Sequence, residues 1–132
     1  VTSQLEQMIV LDALIANEDR HWGNFGALRD SESLEFIGLA PVFDNGNSLG
    51  YKAASVMRNR NADASVAFNK THTLELKHVS SAVKVDWDGI INHCMEIVEH
   101  RYNQLVEPEF GIDRAHMIGQ FIQEGAKKLK TF

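Results

Sequence analysis

The stretch NEDRHWGN, residues 17–24, gathers Glu18, Asp19, Arg20, His21 and two amides, Asn17 and Asn24, around Trp22 and Gly23. It directly follows the apolar segment MIVLDALIA, whose spacing predicts a helix ending near Ala16. Glu18 and Asp19 then fall at the negative end of a helix dipole, where carboxylates are disfavoured by a few tenths of a kcal/mol or more. Charges held against a local rule collect at functional sites, although Arg20 and His21 beside the acids also fit a purely structural ion-pair knot. A carboxylate at Asp19 can accept or orient a hydroxyl proton, and an amide oxygen at Asn24 can serve a hard cation as a neutral ligand. Magnesium normally wants a carboxylate as well. Asp44, which ends the apolar stretch APVFD, is the candidate for it.

Asp19 and Asn24 stand in the order D-x-x-x-x-N, the spacing of the catalytic Asp and metal-holding Asn in the protein-kinase catalytic loop. Phosphoryl transfer passes through a loose transition state, so an enzyme's work there is to place a hydroxyl in line and neutralise phosphate charge. NEDRHWGNFG followed by LAPVFDNGNSLG resembles the HipA family of bacterial serine/threonine kinases, which carries N-x-D-R-H-x-x-N-x-G and then A-P-x-[YF]-D. The D-R-H order is shared with phosphoinositide 3-kinase-like enzymes and inverts the H-R-D of ordinary protein kinases. The close match covers roughly residues 11–50.

The resemblance implies that Asp19 is the catalytic aspartate, that Asn24 is one magnesium ligand, and that Asp44 is the magnesium-binding aspartate. It implies that Arg20 ties the loop down and that His21 supports it or approaches the transferring phosphate. It implies ATP and Mg2+ as cofactors. The fold expected is α+β: a mainly helical kinase-like C-terminal lobe with a β-hairpin bearing the catalytic and metal-binding residues. The sequence departs from a whole kinase in having no glycine-rich loop before residue 11 and no V-A-I-K-like lysine upstream of Asp19. FDNG also lacks the phenylalanine and glycine placement of D-F-G. With Val1 in first place, these departures lead to the expectation that residues 1–132 are a single lobe of a longer kinase, inactive without its N-terminal lobe.

Composition narrows the class independently. A chain of 132 residues that is 44% hydrophobic is long and apolar enough for one core. A net charge of -5 and a pI near 5.6 argue against nucleic acid or an anionic lipid surface as partner. One cysteine excludes an internal disulfide and fits a reducing, cytoplasmic setting. The longest apolar run is interrupted by Asp12 and is too short to span a bilayer.

The elements that must position the site follow from pattern. Ser3 and Glu6 have the spacing of a capping box ahead of a helix over residues 3–16. FGALRD and LEFIGLAPVF, separated by the turn-forming DSES, predict a hairpin, with Pro41 near its end. From Gly46 to Val85 the pattern supports short elements at most. DWDGIINHCMEIVEHRYNQLV predicts a helix capped by Asp86, with Trp87, Ile90, Ile91, Cys94, Ile97, Val98 and Leu105 on one face. Asp113 is expected to cap a final helix carrying Met117, Phe121, Ile122 and Leu129, its negative end matched by Lys127, Lys128 and Lys130.

Bland alternatives weigh against several residues. D-N-G at Asp44 is also a strong tight-turn signal. Trp22 reads as a packing anchor, Cys94 as a buried thiol, and His93 and His100 lack a third ligand for zinc. Lys52, Arg58, Arg60 and Lys70 fall where kinases read substrates, and Ser55, Ser65, Thr71 and Thr73 could accept phosphate there. The expected function is transfer of the ATP γ-phosphate to a protein hydroxyl, with a protein substrate and an antitoxin-like partner and without nucleic acid or membrane. The alternatives are a kinase of a small molecule or lipid, and a non-catalytic, toxin-like interaction module.

Overall fold

A computed structural model describes residues 2–49, 65–66, 70–80, 83–105 and 112–132. The elements run α1 (Thr2–Ile15), β1 (Ala27–Arg29), β2 (Phe36–Leu39), β3 (Ser65–Val66), β4 (Lys70–Thr71), α2 (His72–Leu76), α3 (Trp87–Leu105) and α4 (Ile112–Lys130). This is an α+β arrangement of helices with two small antiparallel sheets, β1 with β2 and β3 with β4. No helix among the described residues is long and apolar enough to cross a membrane. The described residues within Val1–Ser48 and Asp63–Lys84 form one compact unit, and those within Leu49–Ala62 and Val85–Phe132 form another.

In the first unit, α1 buries Met8, Val10, Asp12 and Ala13 toward its C-terminal half. The expected capping box does not form. Ser3 lies inside the helix, and the Glu6 carboxylate accepts instead from the Ser80 hydroxyl at 2.8 Å. The helix stops at Ile15 because Ala16 turns left-handed, φ 50°, and the Asn17 amide returns to the Asp12 carbonyl at 2.9 Å. That bond closes the last turn in the Schellman manner, with alanine where glycine is usual.

The hairpin pairs Ala27 with Leu39, Leu28 with Gly38 and Arg29 with Phe36, so Ile37 is left over as a bulge. Its turn is built by Asp30, whose carboxylate accepts from the amides of Glu32 (2.9 Å) and Ser33 (2.8 Å). Those amides, Ser33's first, hold the Asp30 carboxyl below the usual carboxylate range. Gln4 on α1 anchors β2, its side-chain oxygen accepting from the Leu39 amide at 3.0 Å. A Cβ at Gly38 would lie 3.3 Å from that same oxygen, so the small residue lets strand and helix side chain approach. Thr71 caps α2 by accepting from the Leu74 amide.

The second unit is the antiparallel partnership of α3 and α4. Asp86 caps α3, its carboxylate accepting from the Gly89 amide at 2.9 Å. Asp113 lies within α4 and not ahead of it, and its side chain is outside the described residues, as is that of Leu105. The two helices meet where Gly119 faces Met95: a Cβ there would lie 2.7 Å from the Met95 sulfur and 3.2 Å from its Cα. Beside this contact the Cys94 thiol donates to the Gly119 carbonyl at 3.5 Å, and Gln123 donates to the Ile91 carbonyl at 2.8 Å. Phe121, Ala115 and Ala126 complete the interior. Ile97 departs from the expected face: it is 59% exposed. Lys130 reaches back to Asp88 at 2.7 Å.

Candidate active site

The site grows from one buried side chain. Arg20 is 1% exposed, and all five of its N–H groups are committed. Its Nε and one Nη grip the two carboxylate oxygens of Asp12, each at 2.9 Å. The same Nη also donates to the Asn45 side-chain oxygen. The other Nη donates to the main-chain carbonyls of Asn24 at 2.5 Å and Phe43 at 2.8 Å. A planar guanidinium suits this task because its donors point in fixed directions. One cation thereby fixes α1, the loop at Asn24, and the chain on both sides of Asp44.

Asp12 is the counter-charge that makes burial of Arg20 tolerable. It also accepts from the Asn17 amide nitrogen at 3.0 Å, and the Asn17 oxygen in turn accepts from the Asp19 main-chain N–H at 3.1 Å. Asn17 is wholly buried. Asn24 is buried too, and its side-chain nitrogen donates to the Asp19 carbonyl at 2.8 Å. That bond tells the amide which way to face: its oxygen is left as an acceptor, with no donor to it among the described residues. The loop backbone is further held by the Glu18 amide on the Asn47 carbonyl, 3.0 Å.

Asp19 itself looks outward, its side chain 46% exposed, with the His21 Nε2 4.0 Å from its carboxylate. The other nitrogen of His21 accepts from the Gly23 amide at 3.0 Å. Asp44 is exposed and left-handed, φ 54°. A non-glycine residue in that region is uncommon and costs energy unless its surroundings impose it. Here Arg20 holds residues 43 and 45 on either side, which imposes it. Among the described residues no strand follows β2 before Ser65, so none of them pairs across D-N-G as a hairpin.

Of the residues singled out from sequence, Asp19 and Asn24 are linked directly, and Asp44 is brought to them through Arg20. Arg20 is not a group that could meet a substrate. It is buried and saturated, and it acts by positioning the others. His21 is exposed beside Asp19. Trp22, expected to anchor packing, is instead 79% exposed, with its ring centroid 5.6 Å from that of Phe25. Lys52, Ser55, Arg58 and Arg60 lie outside the described residues.

Asp12 and Asn17 were missed as members of the site. An aspartate inside an apolar run was the available signal, since a charge at such a position is retained only with a partner. Glu75, in α2, lies behind this network: it is buried, one of its carboxylate oxygens finds no hydrogen bond, and burial, then the charge of Asp12, pushes its pKa up.

Over 50 residues the chain is 48% identical to the serine/threonine-protein kinase CtkA of Helicobacter pylori, a stretch that makes up 38% of this chain and 15% of that kinase. No protein-family model matches the chain, and no solved structure matches it. Part of the chain is thus related to a serine/threonine kinase, and the match spans a small share of that protein's length.

Proposed function

We propose that this chain carries the catalytic loop of a serine/threonine protein kinase and takes part in moving the ATP γ-phosphate to a protein hydroxyl. The observation that carries the reading is the single guanidinium of Arg20 bonded to main chain at Asn24 and at Phe43, which fixes the loop of Asp19 and the segment of Asp44 to one point. The relationship to a serine/threonine kinase supports it. Asp19, exposed on a braced backbone, orients the acceptor hydroxyl and takes up its proton. Asn24, its nitrogen spent on the Asp19 carbonyl, keeps an oxygen for a cation, and Asp44 supplies the carboxylate.

This donor set fits Mg2+, which binds through one or two protein oxygens and otherwise through water and phosphate. No cluster of three His, Cys, Asp or Glu side chains able to hold a metal occurs among the described residues, and magnesium does not require one. When bound, Mg2+ neutralises phosphate charge during the transfer. The finer assignment to a HipA-type kinase with an antitoxin-like partner rests on the D-R-H order and the APVFD segment, and a cytoplasmic site of action on the single cysteine.

The test is transfer of labelled phosphate from ATP with magnesium by the full-length protein to itself, to peptides and to small hydroxylated acceptors. Asp19→Ala lowers the rate by about 10²–10⁴-fold, while thermal unfolding shows the fold retained. Asp44→Asn keeps a residue that tolerates the left-handed backbone and removes the charge, so it loses transfer in the same way. Undiminished labelling in Asp19→Ala removes this reading.

A further inference from the structure

We propose that Asn17 is the positioning residue for Asp19, holding the main chain there so that the carboxylate is aimed at the acceptor hydroxyl. The proposal rests on the kinase reading above and adds to it a buried residue that acts only through Asp19.

Asp19 is held by an asparagine side chain at each end. Its N–H donates to the Asn17 side-chain oxygen at 3.1 Å, and its carbonyl accepts from the Asn24 side-chain nitrogen at 2.8 Å. The first bond is an Asx turn, in which the side chain two residues back takes the place of a main-chain carbonyl. Between these two clamps the Asp19 side chain is left 46% exposed. Once the main chain is fixed, an aspartate can reach only as far as a few staggered rotamers carry it.

The two clamps differ in what else they do. Asn24 keeps an oxygen for a cation in the reading above, whereas Asn17 is wholly buried and its amide is spent inside the fold. The Asn17 nitrogen donates to Asp12 Oδ1 at 3.0 Å, the same oxygen that accepts from Arg20 Nη2 at 2.9 Å. With its nitrogen on that acceptor, the amide must turn its oxygen toward the Asp19 N–H. Residue 17 is itself seated by the left-handed Ala16 and by its own N–H on the Asp12 carbonyl at 2.9 Å. The Arg20–Asp12 ion pair is thereby linked to the main chain of Asp19 through one side chain. The position demands a donor and an acceptor at fixed spacing. A carboxylate would set acceptor against acceptor at Asp12, and an alanine would leave the Asp19 N–H without the oxygen that holds it.

The test compares Asn17→Ala and Asn17→Asp in phosphotransfer by the full-length protein, with thermal unfolding run beside it and rates referred to folded enzyme. Asn17→Ala lowers kcat about 10²-fold, as expected for a catalytic group misplaced by about 1 Å. It leaves KM for ATP within about twofold and quickens solvent exchange of the Asp19 amide. Asn17→Asp gives the sharper readout, because a protonated carboxyl copies the amide: its O–H donates to Asp12 and its other oxygen accepts from the Asp19 N–H. Burial and the Asp12 charge, offset in part by Arg20, favour the protonated form of the introduced carboxyl. The kcat of Asn17→Asp relative to wild type therefore climbs about 10-fold as pH falls from about 8 to about 5.5, while the ratio for Asn17→Ala stays flat. An asparagine with a merely structural role gives a lower Tm with unchanged kcat, and that result overturns the proposal. So do a flat ratio for Asn17→Asp, unaltered exchange at Asp19, and a loss that falls on KM for ATP alone. If Asn17→Ala fails to fold, the pH profile of Asn17→Asp decides. A wild-type protein that transfers no phosphate brings down the kinase reading and this proposal with it, whereas an active wild type with equally active variants overturns this proposal only.

Discussion

Both units pack apolar side chains, but among the described residues the buried polar and charged ones all lie in the first. Around α1, Met8, Val10 and Ala13 share the interior with Arg20, Asn17 and Asp12, a polar set held together by its own hydrogen bonds. Between α3 and α4 the most deeply buried side chains are Phe121, Ala126 and Ala115, packed across a glycine contact. Apolar packing is non-directional and contributes cohesion. Buried hydrogen bonds are directional, and their worth lies in fixing where the attached backbone sits. The unit that carries the candidate residues Asp19, Asn24 and Asp44 adds the second device to the first, and the helix pair relies on the first.

If that contrast is correct, the heaviest loss comes from Arg20→Ala, which strands the Asp12 charge in the interior. A cost of about 3–5 kcal/mol is expected, read as a drop in the guanidinium midpoint. Arg20→Lys recovers only part of it, since one ammonium has three donors and no planar fork. A mild effect of Arg20→Ala would mean that the polar network is ornamental and the contrast false.

Gly119→Ala probes the other unit, where the added methyl meets Met95. Overpacking of this kind costs about 1–3 kcal/mol, measurable in the same denaturation experiment, and a catalytic loop built only within the first unit should keep its chemistry. Asp86→Ala removes the α3 cap and costs about 1 kcal/mol, visible as reduced helicity and a lower Tm.

Glu75→Gln sharpens the comparison through pH. Because the folded-state pKa of Glu75 is raised above its ordinary 4.5, the folded protein favours the protonated form, and stability is lost as pH climbs through the folded pKa. The glutamine variant is therefore more stable than wild type at pH 8, and the advantage shrinks toward pH 4. A constant difference across that range would show that Glu75 does not titrate differently on folding. Lys130→Ala should be the least consequential, within about 0.5 kcal/mol, because its partner Asp88 is exposed and solvent screens the pair.

How much of this was legible beforehand depended on the distance to each partner. The Asp86 cap, the hairpin around Asp30, and the period of α3 and α4 are local relations, and the chain adopts them. Ser3 and Glu6 failed as a local relation because Ser80, remote in sequence, captured the glutamate. Ile97 fitted the helical period yet stayed exposed, since periodicity identifies a face and cannot say how wide a strip its neighbour covers. Trp22 went the other way, because a large aromatic ring is expected inside and the turn at His21 carries it out. Asp12 looked like an interruption of an apolar run until Arg20 was seen against it.

The sequence by itself determined the inventory: which residues could serve as base, amide ligand and acid, their spacing along the chain, and the helices and hairpin that carry them. These follow from side-chain chemistry and from interactions a few residues long. Tertiary structure alone decided which groups Arg20 braces, that Asp44 is held left-handed between two of its bonds, and that Trp22 faces outward. Each of those outcomes turns on how the chain meets groups distant along it or closes over its own loop, and which donors end up buried beside which acceptors is settled only when the whole chain has folded.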